Sequence, residues 1–128
     1  MAVTHTTTVR NAIADMIWDT LDSGLLKLHI TGSTADAPSA VAATLTLNAA
    51  AAPAASGGVA TAAAITSDTN AAGNASAVAF ASLQTSGGTV KVHGAVAASG
   101  SDFNMSGGLT VNAGDTVSCS ALTYTAPA

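Results

Sequence analysis

The stretch Leu25-Leu26-Lys27-Leu28-His29-Ile30-Thr31 carries a period of two. Leu26, Leu28 and Ile30 fall on one face and Lys27 and His29 on the other, the alternation of a half-buried strand. Just upstream the period is different. Val9, Ile13, Ile17 and Leu21 recur every fourth residue, which lays one apolar stripe along a helix predicted over residues 8–23. Met16 and Trp18 widen or flank that stripe. Thr7 or Thr8 is placed to cap the first turn, and Gly24 to end the helix in the left-handed conformation that glycine adopts without steric cost. Asp15, Asp19 and Asp22 are expected to face mostly solvent. The change from a helical to a strand period at Gly24 happens once and is not reversed, so the fold is expected to be mainly β.

Beyond Thr31 the strand pattern recurs between small-residue punctuations. Residues 32–40, with Pro38, read as a loop, and residues 41–48 alternate again with Val41, Leu45 and Leu47 on one side. Residues 49–58 are low-complexity, and Pro53 with the Gly57-Gly58 pair favours a loop over a helix. Strands are predicted at 59–66, 75–84, 89–97, 103–105, 109–111 and 116–125, with turn clusters at 67–73, 99–102 and 112–115. Ser86-Gly87-Gly88 is a hairpin signal between two of them. One N-terminal helix and about eight short strands with glycine-rich turns predict an antiparallel β-sandwich or jelly roll. No helical pattern lies between strands, which excludes βαβ units. The 128 residues suit a single domain, with a flexible arm over 1–7, the helix over 8–23 and the sandwich over 25–125.

The core available to such a sandwich is thin. Apolar residues make up 48% of the chain, but 31 of the 128 residues are Ala. Burying a Leu or Val side chain contributes roughly 1.5–3 kcal/mol, and an Ala methyl much less. A chain of this composition gains by burying surface against copies of itself or against a partner. Arg10, Lys27 and Lys91 are its only strong cations, set against seven Asp and no Glu. No basic patch can form, and a net charge of −4 argues against binding phosphate backbones or an anionic membrane. Neither nucleic acid nor membrane is expected among its partners. Cys119 is the single cysteine, so no intrachain disulfide forms, and it reads as a small core residue. No apolar run reaches the ~18 residues of a membrane-spanning helix. The Thr-rich residues 1–10 lack the apolar segment of a signal peptide, so a soluble protein, intracellular at synthesis, is expected.

Residues that carry chemistry are present but scattered. His5, His29 and His93 lie far apart without metal-ligand spacing, and His29 and His93 fall on the polar faces of predicted strands, so both are expected to face solvent rather than a metal. Asp36, Asp68, Asp102 and Asp115 fall in predicted loops and turns, where Asp bonds its own backbone. Nothing in their spacing sets two carboxylates across a groove. The serines lack a G-x-S-x-G elbow. The Gly pairs at 57–58, 87–88 and 107–108 lack phosphate-binding spacing and read as turns. No catalytic residue, cofactor or metal is expected. What remains is the helix. It either covers one open end of the sandwich or serves as a docking or oligomer element, with Val9, Ile13, Ile17, Trp18 and Leu21 as the candidate interface and Trp18 as its anchor.

The order of features also carries a resemblance. The helix Thr8-Val9-Arg10-Asn11-Ala12-Ile13-Ala14-Asp15 is followed by the strand Leu26-Lys27-Leu28-His29-Ile30-Thr31-Gly32. Then come Ser56-Gly57-Gly58-Val59-Ala60, Ala64-Ile65-Thr66-Ser67-Asp68-Thr69, Gly88-Thr89-Val90, Gly94-Ala95-Val96-Ala97-Ala98-Ser99-Gly100-Ser101-Asp102 and Ala113-Gly114-Asp115-Thr116-Val117. Taken together this resembles the small head decoration, or cement, proteins of tailed bacteriophages, of the jelly-roll type, over nearly the whole chain. The resemblance implies a virion protein made in the host bacterial cytoplasm. It would bind the outer capsid surface and bridge neighbouring major capsid proteins, often as a dimer or trimer, and it brings no catalytic residues. The rival expectation is a receptor- or carbohydrate-binding β module of a tail fibre or spike. That reading needs exposed aromatic rings, and only Trp18, Tyr124, Phe80 and Phe103 are available.

Overall fold

A computed structural model describes residues 3–128; the part of the expected arm at Met1 and Ala2 lies outside the described residues. The described residues form one helix, α1 (Thr7–Asp19), and seven strands: β1 (Leu25–His29), β2 (Val41–Thr46), β3 (Val59–Thr61), β4 (Phe80–Gln84), β5 (Val90–Ala97), β6 (Phe103–Asn104) and β7 (Thr123–Thr125). The mainly β reading holds. The regular pairing comprises one five-stranded and one two-stranded sheet.

Five strands form one sheet in the order β2-β1-β4-β5-β6, curled into a half-barrel. The first four pair antiparallel, with Leu26 opposite Leu45 and Leu83, and Leu83 opposite Val92. The last pair, β5 with β6, is parallel. The hairpin expected at Ser86-Gly87-Gly88 joins β4 to β5, with Gly88 at φ +89° and its N–H on the Thr85 carbonyl. Leu26, Leu28, Ala43, Leu45, Ala81, Leu83 and Val96 share the apolar side of the sheet and are buried.

The opposite wall is an irregular ribbon. β3 pairs with β7, and the same antiparallel register runs on without regular strands. Ala62 N–H bonds Leu122 O, Asp68 and Val117 exchange a pair of bonds, Ala71 N–H bonds Asp115 O, Asn74 N–H bonds Val111 O and Val78 N–H bonds Leu109 O. The turn cluster expected at 67–73 is therefore a length of this ribbon, and the strands expected at 59–66, 75–84, 109–111 and 116–125 are ladders only in part. Ala fills much of this run, and a methyl gives the pleated backbone little to pack on. The ribbon also covers the outer edge of β2: Thr46 pairs with Thr66, Gly73 N–H bonds Ala42 O, and Thr44 N–H bonds Asp68 Oδ2 at 2.9 Å.

The helix begins and ends differently from the sequence expectation. Thr6, not Thr7 or Thr8, is the N-cap, its Oγ1 accepting from Val9 N–H. After Asp19 the chain tightens into a turn, with Leu21 N–H on Trp18 O, and Ser23 rather than Gly24 takes the left-handed φ of +54°. Gly24 serves close approach instead. A Cβ there would lie 2.3 Å from Gln84 O and 2.7 Å from Leu21 O.

Asp15 is half-buried rather than facing solvent, and Asp22, exposed as expected, is nonetheless engaged by the chain's own backbone. Asn11 Oδ1 accepts from Gly58 N–H, Asp15 Oδ1 from Ala55 N–H and Asp22 Oδ1 from Ala51 N–H, each at 2.7–2.8 Å. With the buried Ala14, Trp18 and Leu21 they form the inward side, Leu21 and Asp22 standing in the turn just after the helix. Helix geometry returns a side chain to the same face every three or four residues. That face thus alternates apolar packing with acceptors for the backbone of the Ala-rich 49–58 loop.

Candidate functional site

The five residues proposed as an interface do not share one surface. Trp18 and Leu21 are buried in the chain's own core, at 2% and 0% exposure, and Ile13 and Ile17 pack half-buried against it. Val9 is exposed. The helix is docked on its own fold, against β3 and the 49–58 loop, so Trp18 is not an outward anchor. Its outward apolar residues are Val9, Ala12 and Met16.

A cleft of about 540 Å³ opens on the apolar side of the curled sheet. Its floor is Leu26, Leu28, Leu45 and Val96; Phe103 and Met105 stand on one side, and Val117, Cys119 and Leu122 on the other. The bonded order runs from the 109–125 segment through the 59–78 segment, β2, β1, β4 and β5 to β6, and residues of β6 and of the 109–125 segment both line the cleft. Its carboxylates are committed to their own turns. Asp102 Oδ2 accepts from Ala95 N–H at 3.2 Å and Asp115 Oδ2 from Asn112 N–H at 2.9 Å. Cys119 is half-buried rather than fully in the core, with Sγ donating to Ala121 O. Burial pushes its thiol up, against a smaller opposing effect of the Ala121 contact. A thiol held protonated is a poor nucleophile.

The other side of the sheet holds a polar network that sequence reading assigned to solvent. His29 is 0% exposed, and His93 is half-buried with its ring stacked on Phe80 at 5.2 Å between centroids. His29 Nδ1 lies 2.9 Å from Ser39 O, and Nε2 lies 2.7 Å from Ser82 Oγ. Gln84 Nε2 donates to the same Ser82 Oγ at 2.9 Å. A carbonyl can only accept, so Nδ1 carries the proton. Nε2 is then the acceptor of the Ser82 hydroxyl, so both ring nitrogens of His29 and the Ser82 hydroxyl have partners. His93 Nε2 meets Ser33 Oγ at 3.1 Å, and that oxygen also accepts from Ser39 N–H. Burial holds the His29 imidazole below the ordinary histidine value; the nearby His93 and Lys27 act in the same direction, and the Ser39 carbonyl acts against them.

Ser82 and His29 have the separation of a nucleophile and its base. Ser82 is also 0% exposed, so a substrate has no approach to its hydroxyl. The expectation of solvent-facing histidines failed because it treated one face of β1 as open water. The signal present in the sequence was Ser82 and Gln84 at alternate positions, two groups able to satisfy a buried imidazole. Among the described residues no three His, Cys or Asp side chains gather as metal ligands, and no helix is long and apolar enough to cross a membrane. Comparison with protein-family models, with curated proteins and with solved structures finds no match.

Proposed function

We propose that this chain is a structural virion protein of jelly-roll type. In this reading it decorates the outer surface of a tailed-bacteriophage head and stabilises it by bridging major capsid proteins, as a dimer or trimer. The observation that carries the reading is the open seam. The leucines and Val96 that floor the cleft belong to the core, yet the wall above them is left to a ribbon poor in regular pairing. A fold with a thin, Ala-rich core and an unclosed wall gains stability when a neighbour covers it. The sparse surface charge suits contact driven by shape over a lattice. The resemblance in the order of features adds to this reading without replacing it.

The reading is tested with assembled capsids. The purified chain binds them in near-stoichiometric copy number, and particles lacking it lose resistance to heat or chemical stress. A reconstruction that places the chain only in the tail overturns it. The tail-fibre alternative is less well supported, because the ring of Phe80 is stacked on His93 and that of Phe103 packs on Gly94, where a Cβ would lie 2.9 Å away. Binding on a glycan array without capsid binding would favour it instead.

A further inference from the structure

The 31–40 loop folds back over the polar side of the sheet and is held there by a small set of bonds. Ser39 O accepts from the buried His29, Ser39 Oγ donates to Ile30 O at 2.8 Å, and Ser33 Oγ joins His93 to Ser39 N–H. Ser33 is buried, while Thr34, Ala35, Asp36, Ala37 and Pro38 are exposed. The loop therefore rests on two serine anchors, and each anchor is bonded to a histidine of the sheet.

We propose that His29 is a proton-operated catch for the 31–40 loop, closed when its ring is neutral and released when the ring takes up a second proton. The geometry gives the reason. A second proton must enter at Nε2, the atom that now accepts from Ser82. The Ser82 hydroxyl then loses its acceptor while Gln84 still donates to it, and a cation sits where water cannot reach. The Ser39 carbonyl favours the charged ring, but burial outweighs it, and the groups around the ring supply no negative charge. Lys27 lies on its own strand, His93 on β5, the neutral Ser82 and Gln84 on β4, Val41 opposite it on β2, and Ser33 and Ser39 in the loop. Among the described residues no carboxylate influences the ring, and Asp36, the acid of the loop, is exposed. Hydrating the imidazolium requires lifting the segment that covers it, which is the loop carrying Ser39.

The sign follows from linkage. A histidine whose value is lowered in the closed state leaves the closure fully stable above the ordinary histidine value, about 6.5, and weakens it as the pH falls below that. Opening increases by up to about tenfold per pH unit across that window, because one proton is linked. The inference stands apart from the capsid reading and is tested on the isolated chain.

The experiment is amide hydrogen exchange from pH 7.5 to 5, corrected for intrinsic rates. Protection of residues 31–40 falls as the pH drops, while the β1–β4 ladder keeps its protection. In His29→Gln, which can still donate to Ser39 O and accept from Ser82 but does not titrate, loop protection becomes independent of pH over the same range. If that variant does not fold, the imidazole of the intact protein is titrated by NMR, and the loop amide shifts move with the His29 midpoint. Loop protection that stays constant while His29 titrates overturns the proposal. So does loss of loop and ladder together, which would be global unfolding.

Discussion

The curled sheet and the Ala-rich wall opposite it satisfy their backbones in different ways. In the sheet, β2, β1, β4 and β5 bond one another, and Leu26, Leu28, Leu45 and Leu83 pack beside those bonds. In the 49–58 run, which leads into that wall, amide groups go to side chains from elsewhere: Ala51 to Asp22, Ala55 to Asp15, Gly58 to Asn11. The difference shows what alanine costs a β protein. A strand with large alternating side chains buries enough surface to fix its own ladder. A run of methyls does not, so its backbone is fixed by polar groups on a helix. The acidic residues of α1 are therefore structural elements of the loop as much as of the helix.

Substitutions on the two sides of the core are expected to have effects of different size. Trp18→Ala removes the biggest buried side chain, at the junction of helix and Ala-rich loop, and should cost about 3–5 kcal/mol. Leu45→Ala, in the well-paired sheet, should cost about 2–5 kcal/mol. Urea unfolding reads both, and a much smaller loss for Trp18→Ala would mean the loop side adds little to the whole. Asp15→Ala and Asp22→Ala should each cost about 1.5–3 kcal/mol, since each leaves a part-buried N–H without its charged acceptor. Amide exchange at Ala55 and Ala51 should rise selectively. Equal loss of protection in β1 and β4 would show that the two walls are not separate in this respect.

Acid sharpens the comparison from the sheet side. His29 has its value lowered in the folded state, so the unfolded chain binds the extra proton more readily. Its contribution to stability is present in full above the ordinary histidine value and declines as the pH falls below it. Thermal melts from pH 8 to 5 should show the decline, and His29→Gln should flatten it in this range. The smallest effect is expected at Met16, which is 60% exposed on the outer side of α1. Met16→Ala should change stability by less than about 0.5 kcal/mol. A larger, concentration-dependent loss would show that this side of the helix is covered by another copy in solution.

Much of the architecture was legible in residue order. The period-two alternation of Leu26, Leu28 and Ile30 marked β1, the Gly87-Gly88 pair marked the β4–β5 hairpin, and Asn112-Ala113-Gly114-Asp115 marked a turn that forms with Gly114 at φ +88°. The helix was legible as a helix but not in its orientation. Of the regular stripe Val9, Ile13, Ile17 and Leu21, Leu21 is fully buried, Ile13 and Ile17 are half-buried and Val9 is exposed, while Ala14 and Trp18 are buried with Asn11 and Asp15 beside them. Periodicity counts apolar side chains and gives no weight to the acceptors that an Ala-rich loop requires.

The sequence by itself determined the elements: where a helical period stops, where strands alternate and where glycine turns the chain. These are local properties, set by backbone sterics and by which side chains repeat on one face. Only the tertiary structure decided what each face meets. Lys27 and His29 alternate together on the outer side of β1, but Ser39 of the folded-back loop and Ser82, itself held by Gln84, converge on His29 alone, which is buried. Those partners lie 10 and 53 residues away along the chain, and no local pattern specifies that they meet. For the same reason the sheet at Leu25–His29 was fixed in kind by its own residues, and its second face became an interior only when the loop and β4 were laid against it.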